Sequence, residues 1–420
     1  MTYFARVLAA AMATVLIGCW PADGAGPDRT GHNPFETTIT VETVATLAPG
    51  WTTGLDTAPI AGPVVSARGV HVATRSSLYG IRPGTGTVRW QVGPGSPDGG
   101  YENFAGGLTV RHDRLLIAAG SPWDGYGGRW HDAATGQLVS DVVTSGQADS
   151  LRGRTVAGLN VESITAGEFV TLQINDLDAP EAGWSGLLLI DNGVPAPPTV
   201  GTTAVFHAGL GVPPNPDDMF WVNAVRAFPL RDGQSTCGPA VAPYFACATW
   251  TTPLDGRRST AVVLHPGGAV GYVGTDAGTI HAFDTTTGAL LWTGAAGSAI
   301  VDAPALANGT LYVPTSAGDL MAFAADGCGA ASCPVLWRAP TGAAITTQPA
   351  VARGVVFVGG GDGSVTAFPA AGCGAPTCAS LWNADAGGAI AGGPAVSNGR
   401  LYVATDAPAL VAYAPDPAAG

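Results

Sequence analysis

The sequence predicts an all-β protein, a single closed ring of eight four-stranded antiparallel blades. Three observations lead there. Gly 61 and Pro 33 in 420 residues, with 46% hydrophobic and only 12% charged residues, make the chain too apolar for disorder and too rich in turn-formers for a helical protein. Short runs of alternating apolar residues recur between glycine-rich turns, the pattern of half-buried strands. The runs also return in a unit of about 40–45 residues, a length that suits one four-stranded blade.

The repeat is plainest in the C-terminal half. Residues 278–292 read GTIHAFDTTTGALLW. Aligning on Ala282-Phe283 and Trp292 brings 318–337 (GDLMAFAADGCGAASCPVLW) and 363–382 (GSVTAFPAAGCGAPTCASLW) into register, with SSLYGIRPGTGTVRW at 76–90 upstream. Each copy follows an alternating strand: VHVAT (70–74), GYVGT (271–275), LYVPT (311–315) or VFVGG (356–360). A Pro-small-apolar stretch precedes most of these, as in GPVVSARG (62–69), APALANG (303–309), QPAVARG (348–354) and GPAVSNG (393–399).

Outer strands end near Trp51, Trp90, Ser140, about residue 195, Trp250, Trp292, Trp337 and Trp382. The last unit, 388–415, lacks an outer strand, and Leu47 to Trp51 at the other end supplies one. Closure of this kind hides sheet edges. Eight blades result, or seven if 150–200 is not a complete blade.

The succession of Gly, apolar residue, Ala-Phe-Asp, Thr-Gly and Trp resembles the PQQ-type β-propeller repeat, clearly over 46–95 and 257–415 and loosely over 96–256. The resemblance implies that Trp51, Trp90, Trp250, Trp292, Trp337 and Trp382 dock between neighbouring blades. It says less about function, because that family includes quinoprotein dehydrogenases, scaffold lipoproteins such as the outer-membrane assembly factor BamB, and sensor domains.

The N-terminus reads as a targeting segment. Arg6 gives a minimal positive region, and Val7 to Ile17 is apolar but too short to span a bilayer. Leu16-Ile17-Gly18-Cys19 resembles the bacterial lipobox, which implies cleavage before Cys19 and its lipidation; an ordinary secretory signal is the alternative. The expected organisation is a signal peptide at 1–18, a flexible tether at 19–45 rich in Gly, Pro, Asp and Thr, a propeller at 46–415 and a tail at 416–420.

Setting Cys19 aside, six cysteines fall into three local pairs: Cys237/Cys247, Cys328/Cys333 and Cys373/Cys378. In an exported chain local disulfides are expected. Zinc is the rival, though the pairs lie far apart with no histidine at ligand spacing. From Phe283 to Trp292 is nine residues, but from Phe323 to Trp337 and from Phe368 to Trp382 is fourteen. The latter two cysteine pairs therefore sit in five-residue extensions of the hairpin joining strands three and four, and Cys237/Cys247 in a longer one.

Little suggests catalysis. There is no lysine, which excludes Schiff-base, P-loop and Ser-Lys chemistry, and no nucleophile elbow, HExxH helix or EF-hand loop. His71 and His281 fall within strands, and Gly359 to Gly363 reads as a hairpin turn. The Cys-Cys dipeptide that a PQQ-dependent dehydrogenase would carry is absent, and its calcium ligands find no match. Asp302 stands alone beside its inner strand, with Thr347 and Gly392 at the corresponding places, so no carboxylate cluster is expected there. No metal or cofactor is expected; PQQ and calcium enter only under the alternative of a quinoprotein-type oxidoreductase. The net charge of −13 disfavours nucleic acid.

One constellation stands out as a recognition surface. Three consecutive blades carry aromatic and acidic segments assigned to the turn between strands two and three: Trp123, Asp124 and Tyr126; Asp176, Asp178, Glu181 and Trp184; Asp217, Asp218, Phe220 and Trp221. On one face these would be contiguous. The expected protein is thus a monomeric, non-catalytic binding or assembly module, lipid-anchored on the extracytoplasmic side of a bacterial membrane, with an envelope protein or extracellular ligand as partner. A ligand- or carbohydrate-sensing propeller and a secreted soluble protein are the further alternatives.

Overall fold

The computed structural model describes residues 20, 24–25, 28–93, 103–111, 113–121, 125–142, 150–156, 159–166, 169–176, 184–189, 196–211, 222–230 and 248–416. Their strands form eight sheets of four antiparallel strands, one of which gains a fifth strand. Blade one comprises Val64–Ser66, Gly69–Ala73, Leu78–Ile81 and Val88–Val92. Blade two comprises Asn103–Arg111, Arg114–Ser121, Gly125–Asp132 and Leu138–Val142. Blade three comprises Ser150–Val156, Leu159–Ala166, Phe169–Asp176 and Trp184–Leu189. Blade four comprises Thr199–Val200, Ala204–Gly211, Val222–Pro229 and Trp250–Pro253.

Blade five follows as Val263–Leu264, Val270–Gly274, Thr279–Asp284 and Leu290–Ala295. Blade six is Ala305–Ala307, Thr310–Pro314, Asp319–Ala324 and Trp337–Pro340. Blade seven is Ala350–Ala352, Val355–Gly359, Ser364–Pro369 and Trp382–Asp385. Blade eight takes Ala395–Ser397, Arg400–Thr405 and Ala409–Pro415 from the C-terminal end and Leu47–Gly54 from the N-terminal end. Leu47 pairs with Pro415 and Gly54 with Ala409, so the two ends of the chain share one sheet.

Two faces follow from the strand order. Hairpins between strands one and two, and three and four, emerge on the turn face. Hairpins between strands two and three, and the links between blades, emerge on the connector face. Between the blades lies a core of fully buried residues such as Tyr272, Tyr312, Phe323, Phe357 and Phe368.

The tryptophans dock as a ring. The indole N–H of Trp51 donates to Pro83 O (2.8 Å) in the hairpin of blade one, that of Trp90 to Ala133 O (3.3 Å) in blade two, and that of Trp250 to Thr285 O (3.2 Å) in blade five. Each ring lies flat against a hairpin glycine. A methyl group at Gly86 would come within 2.6 Å of the Trp51 ring, and one at Gly288 within 2.5 Å of Trp250. Both glycines have positive φ, 70° and 75°, so glycine satisfies the turn and the close approach together.

Residues 28–45 are not a tether, which corrects the expectation for 19–45. Their backbone walks round the inner strands. Asp28 O accepts from Leu264 N in blade five, Thr30 O from Leu306 N in blade six and Gly31 O from Val351 N in blade seven. His32–Asn33 then adds a parallel strand to blade seven, and Asn33 Nδ2 donates to Val396 O (2.8 Å) in blade eight. Glu36, 1% exposed, accepts from the amides of Thr38 (2.7 Å) and Gly399 (3.0 Å), fastening the segment to the turn face. Ile39 and Val44 are fully buried beneath blade eight before Leu47 begins its outer strand. The inner strands present an open edge of backbone groups to the axis, and this polar, glycine-bearing segment satisfies part of it.

Candidate functional site

Two carboxylates organise the connector face at points four blades apart. Asp56, in the link from blade eight to blade one, accepts from the hydroxyls of Thr74 (2.7 Å), Ser76 (2.7 Å) and Ser77 (2.5 Å). Asp255, in the link from blade four to blade five, accepts from Thr275 (2.7 Å) and Thr279 (2.5 Å), and its Oδ1 lies 2.9 Å from His281 Nε2. Burial alone would raise both carboxyl pKa values, but hydroxyl donors outweigh it at each site, aided by His281 at Asp255, and hold them below the usual carboxylate range. Each clamps the hairpin between strands two and three of its blade.

Their sequence signal is a recurrence that the blade alignment passes over: Trp51-Thr-Thr-Gly-Leu-Asp56 and Trp250-Thr-Thr-Pro-Leu-Asp255. Within the motif the second threonine also repeats its contact, Thr53 donating to Gly86 O and Thr252 to Gly288 O, both at 2.6 Å.

At the axis, Asp302 joins neighbouring blades through backbone amides. Its Oδ1 accepts from Ala303 N (2.7 Å) and its Oδ2 from Gln348 N (2.9 Å). Gln348, 4% exposed, donates to Arg29 O and Pro304 O, tying the threaded segment to blades six and seven. Among the described residues no three His, Cys, Asp or Glu side chains come together to hold a metal ion.

Two cysteine pairs are disulfides, Cys328–Cys333 and Cys373–Cys378. Each closes a hairpin loop on the turn face, where the loop pairs with the outer strand of the preceding blade. Thr293 N donates to Ala331 O and Cys333 N to Thr293 O; Arg338 N donates to Pro376 O and Cys378 N to Arg338 O. Cys19, Cys237 and Cys247 lie outside the described residues.

The proposed aromatic and acidic face changes shape. Trp123, Asp124, Asp178, Glu181, Asp217, Asp218, Phe220 and Trp221 lie outside the described residues, and Tyr126, Asp176 and Trp184 are described as strand backbone. In blade two, strands two and three are separated only by 122–124, so Tyr126 belongs to strand three rather than to a long turn. In blade three the correction is larger. The turn between strands two and three is 167–168, and 177–183 joins strand three to strand four. Asp176 and Trp184 therefore end strands on the turn face, while Trp123 and Trp221 fall in sequence between strands two and three of their blades. The cause is a slip of one strand in a region where no Trp marks the end of the blade.

Comparisons with known proteins agree with the architecture. Residues 247–328 match the repeat model described as outer membrane protein assembly factor BamB. Eight closed sheets with indole-docked hairpins and this match decide the fold. The chain is a β-propeller with a BamB-like repeat at 247–328.

Solved structures divide in function. The quinohemoprotein alcohol dehydrogenase of Comamonas testosteroni superposes with a TM-score of 0.70 at 15% identity, over 99% of this chain and 84% of that one. BamB of Moraxella catarrhalis gives 0.60 at 16% identity, over 88% and 99%. A europium-containing methanol dehydrogenase gives 0.67 at 14% identity, over 94% and 90%. No curated protein matches the sequence. The likeness to both groups at these identities is one of fold.

Proposed function

We propose that this propeller is an exported, lipid-anchored, non-catalytic scaffold that binds a protein partner of the cell envelope through its connector face. The observation that carries the reading is the threaded axis: residues 28–33 bond to the inner strands of blades five, six and seven, where a small ligand would otherwise meet the inner edges. The repeat match to BamB supports the same reading, as does the overlap with 99% of the Moraxella catarrhalis chain. Two local disulfides suit an oxidising compartment.

The connector face is acidic. Asp56, Asp255, Asp276, Asp302, Asp362 and Asp406 belong to it, against Arg75, Arg257 and Arg258. With Trp123 and Trp221 in segments of that face, a partner surface bearing Arg or Lys around an apolar centre is the complementary chemistry. Crosslinking and co-purification from native membranes test this. Trp123→Ala with Trp221→Ala should release the partner while the chain stays folded and monomeric; Trp184→Ala, at the other face, should not. Retention of every partner by the double variant would refute the assignment of the face.

A second reading rests on the TM-score of 0.70 to the quinohemoprotein dehydrogenase. Tryptophan quenching and dye reduction on adding PQQ and calcium to the purified chain would establish it in place of the scaffold.

A further inference from the structure

Trp20 fixes how the chain enters the ring. It is 3% exposed and exchanges backbone hydrogen bonds with Val65 on the inner strand of blade one, 3.0 Å and 2.7 Å, in antiparallel sense. Val64–Ser66 runs from the connector face towards the turn face, so the antiparallel partner runs the opposite way. At Trp20 the chain therefore runs from the turn face towards the connector face. One peptide link spans only about 3.8 Å between Cα atoms, so an acyl chain on Cys19 would start close to the turn-face mouth of the channel. The segment leaves on the same side, where Glu36 grips Gly399 and the Val41 side chain lies over Gly354.

The apolar surface is biased the same way. Of the large hydrophobic side chains exposed among the described residues, Val301 alone belongs to the connector face. Phe35 (50% exposed) and Val41 lie on the turn-face segment, and Val88, Val139, Leu290, Leu291 and Leu336 sit where outer strands leave their turn-face hairpins. They are spread around the ring over blades one, two, five and six instead of gathering in one groove, which suits a flat and laterally continuous partner. Turn-face charges include both signs, with Arg68, Arg82, Arg114, Arg353 and Arg400 against Asp113, Asp132, Asp284, Asp326, Asp416 and Glu42. The acidic connector face would be repelled by anionic headgroups.

From these features we infer that the turn face rests on the lipid bilayer, the propeller axis standing roughly along the membrane normal and the connector face pointing away. The inference builds on the lipid-anchored scaffold reading and adds the orientation. The lipobox resemblance implies more than one acyl chain, enough to anchor the protein, and a ring of apolar contacts beside the anchor would set its tilt.

Depth-dependent quenching tests it on the full acylated chain in phosphatidylethanolamine–phosphatidylglycerol vesicles containing brominated lipid. An environment-sensitive dye is placed at Phe35→Cys or Leu290→Cys on the turn face, and at Ala317→Cys or Ala407→Cys on the connector face. All four positions are exposed, so each variant should fold. The expected result is a blue shift and a large loss of intensity at 35 and 290, with neither at 317 and 407. Quenching at 317 and 407, or at no position, on a chain whose intact mass carries acyl groups would overturn the orientation and leave the anchor standing. A chain of unacylated mass in the soluble fraction would overturn both.

Discussion

Between blades four and five, the indole of Trp250 reaches the first carbonyl of the next hairpin. Between blades six and seven, the phenol of Tyr312 does so instead. The acceptor occupies the same place in both, Thr285 O in one (3.2 Å) and Ala370 O in the other (2.9 Å). Tyr272 repeats the second arrangement with Ala325 O (3.1 Å). The change follows the hairpin. Where it is the plain Asp-Thr-Thr-Thr-Gly turn, the indole N–H serves. Where it carries a disulfide loop, the loop pairs with the preceding outer strand, and a tyrosine on strand two takes over the carbonyl.

At the equivalent strand-two position blade four has Phe206, which packs 6.0 Å from Trp250 and has no hydroxyl to offer. Blade eight has Tyr402, whose hydroxyl is buried without a partner because Trp51 already holds Pro83 O. That carbonyl takes one donor, and either side chain can supply it.

Acid should separate the two kinds of junction most strongly. His71 and His207 lie at or beside strand-two docking positions in blades one and four, and burial, helped by Arg89 and Arg226 respectively, pushes each pKa down to about 3. Blade six has no histidine in its strands, and blade seven has only His32, on the added strand, whose pKa burial also lowers. Near neutral pH both imidazoles are neutral whether folded or not, and their contribution is intact. As pH falls through the unfolded value of about 6.5, the unfolded chain takes up protons that the folded chain refuses, and stability is lost progressively down to about pH 3. Between about pH 7.5 and pH 4.5 the loss should be roughly 1–3 kcal/mol per histidine. Hydrogen exchange should show blades one and four losing protection ahead of blade six. Uniform loss around the ring would contradict the assignment.

Removing one disulfide should act on the other kind of junction. Cys373→Ser with Cys378→Ser should cost about 2 kcal/mol by releasing the short loop. Exchange should quicken first at the amides of Arg338 and Cys378, which pair the loop with blade six. Protection unchanged there would mean that the loop is held without the crosslink.

The finest distinction is a single oxygen. Tyr312→Phe leaves Ala370 O without its donor and should cost about 1 kcal/mol, whereas Tyr402→Phe removes an unpartnered hydroxyl and should be neutral or slightly stabilising. Urea titration of both variants checks this, and equal losses would remove the basis for the swap.

The parts legible in the sequence are those written in local spacing. Phe283 to Trp292 against Phe323 to Trp337 marks the extended hairpins, and the lack of an outer strand after Tyr413 points to Leu47 as the closing strand. The threaded segment was not legible for a physical reason. Asn33 and Glu36 bond to Val396 and Gly399, each separated from its partner by 363 residues, and a stretch of Gly, Pro, Asp and Thr carries no apolar period to reveal such bonds. The loop at 177–183 was assigned to the wrong end of blade three because the tryptophan that ends most blades is absent there. Asp56 and Asp255 were within reach through their shared Trp-Thr-Thr motif, but it recurs every fourth blade and escapes an alignment built on successive ones.

The shared eighth blade also has a consequence for chain synthesis. Leu47–Gly54 is made before Ala409–Pro415 and stays unpaired until that segment arrives to meet it. Joining ends so far apart carries a closure cost of about 5 kcal/mol, compensated only when the whole sheet forms. A copy cut short before residue 409 would carry an orphan strand at one end and a truncated blade at the other, each with an open hydrogen-bonding edge. Such an edge is what proteases and chaperones engage, so completeness of the chain can be read from the outside of the ring.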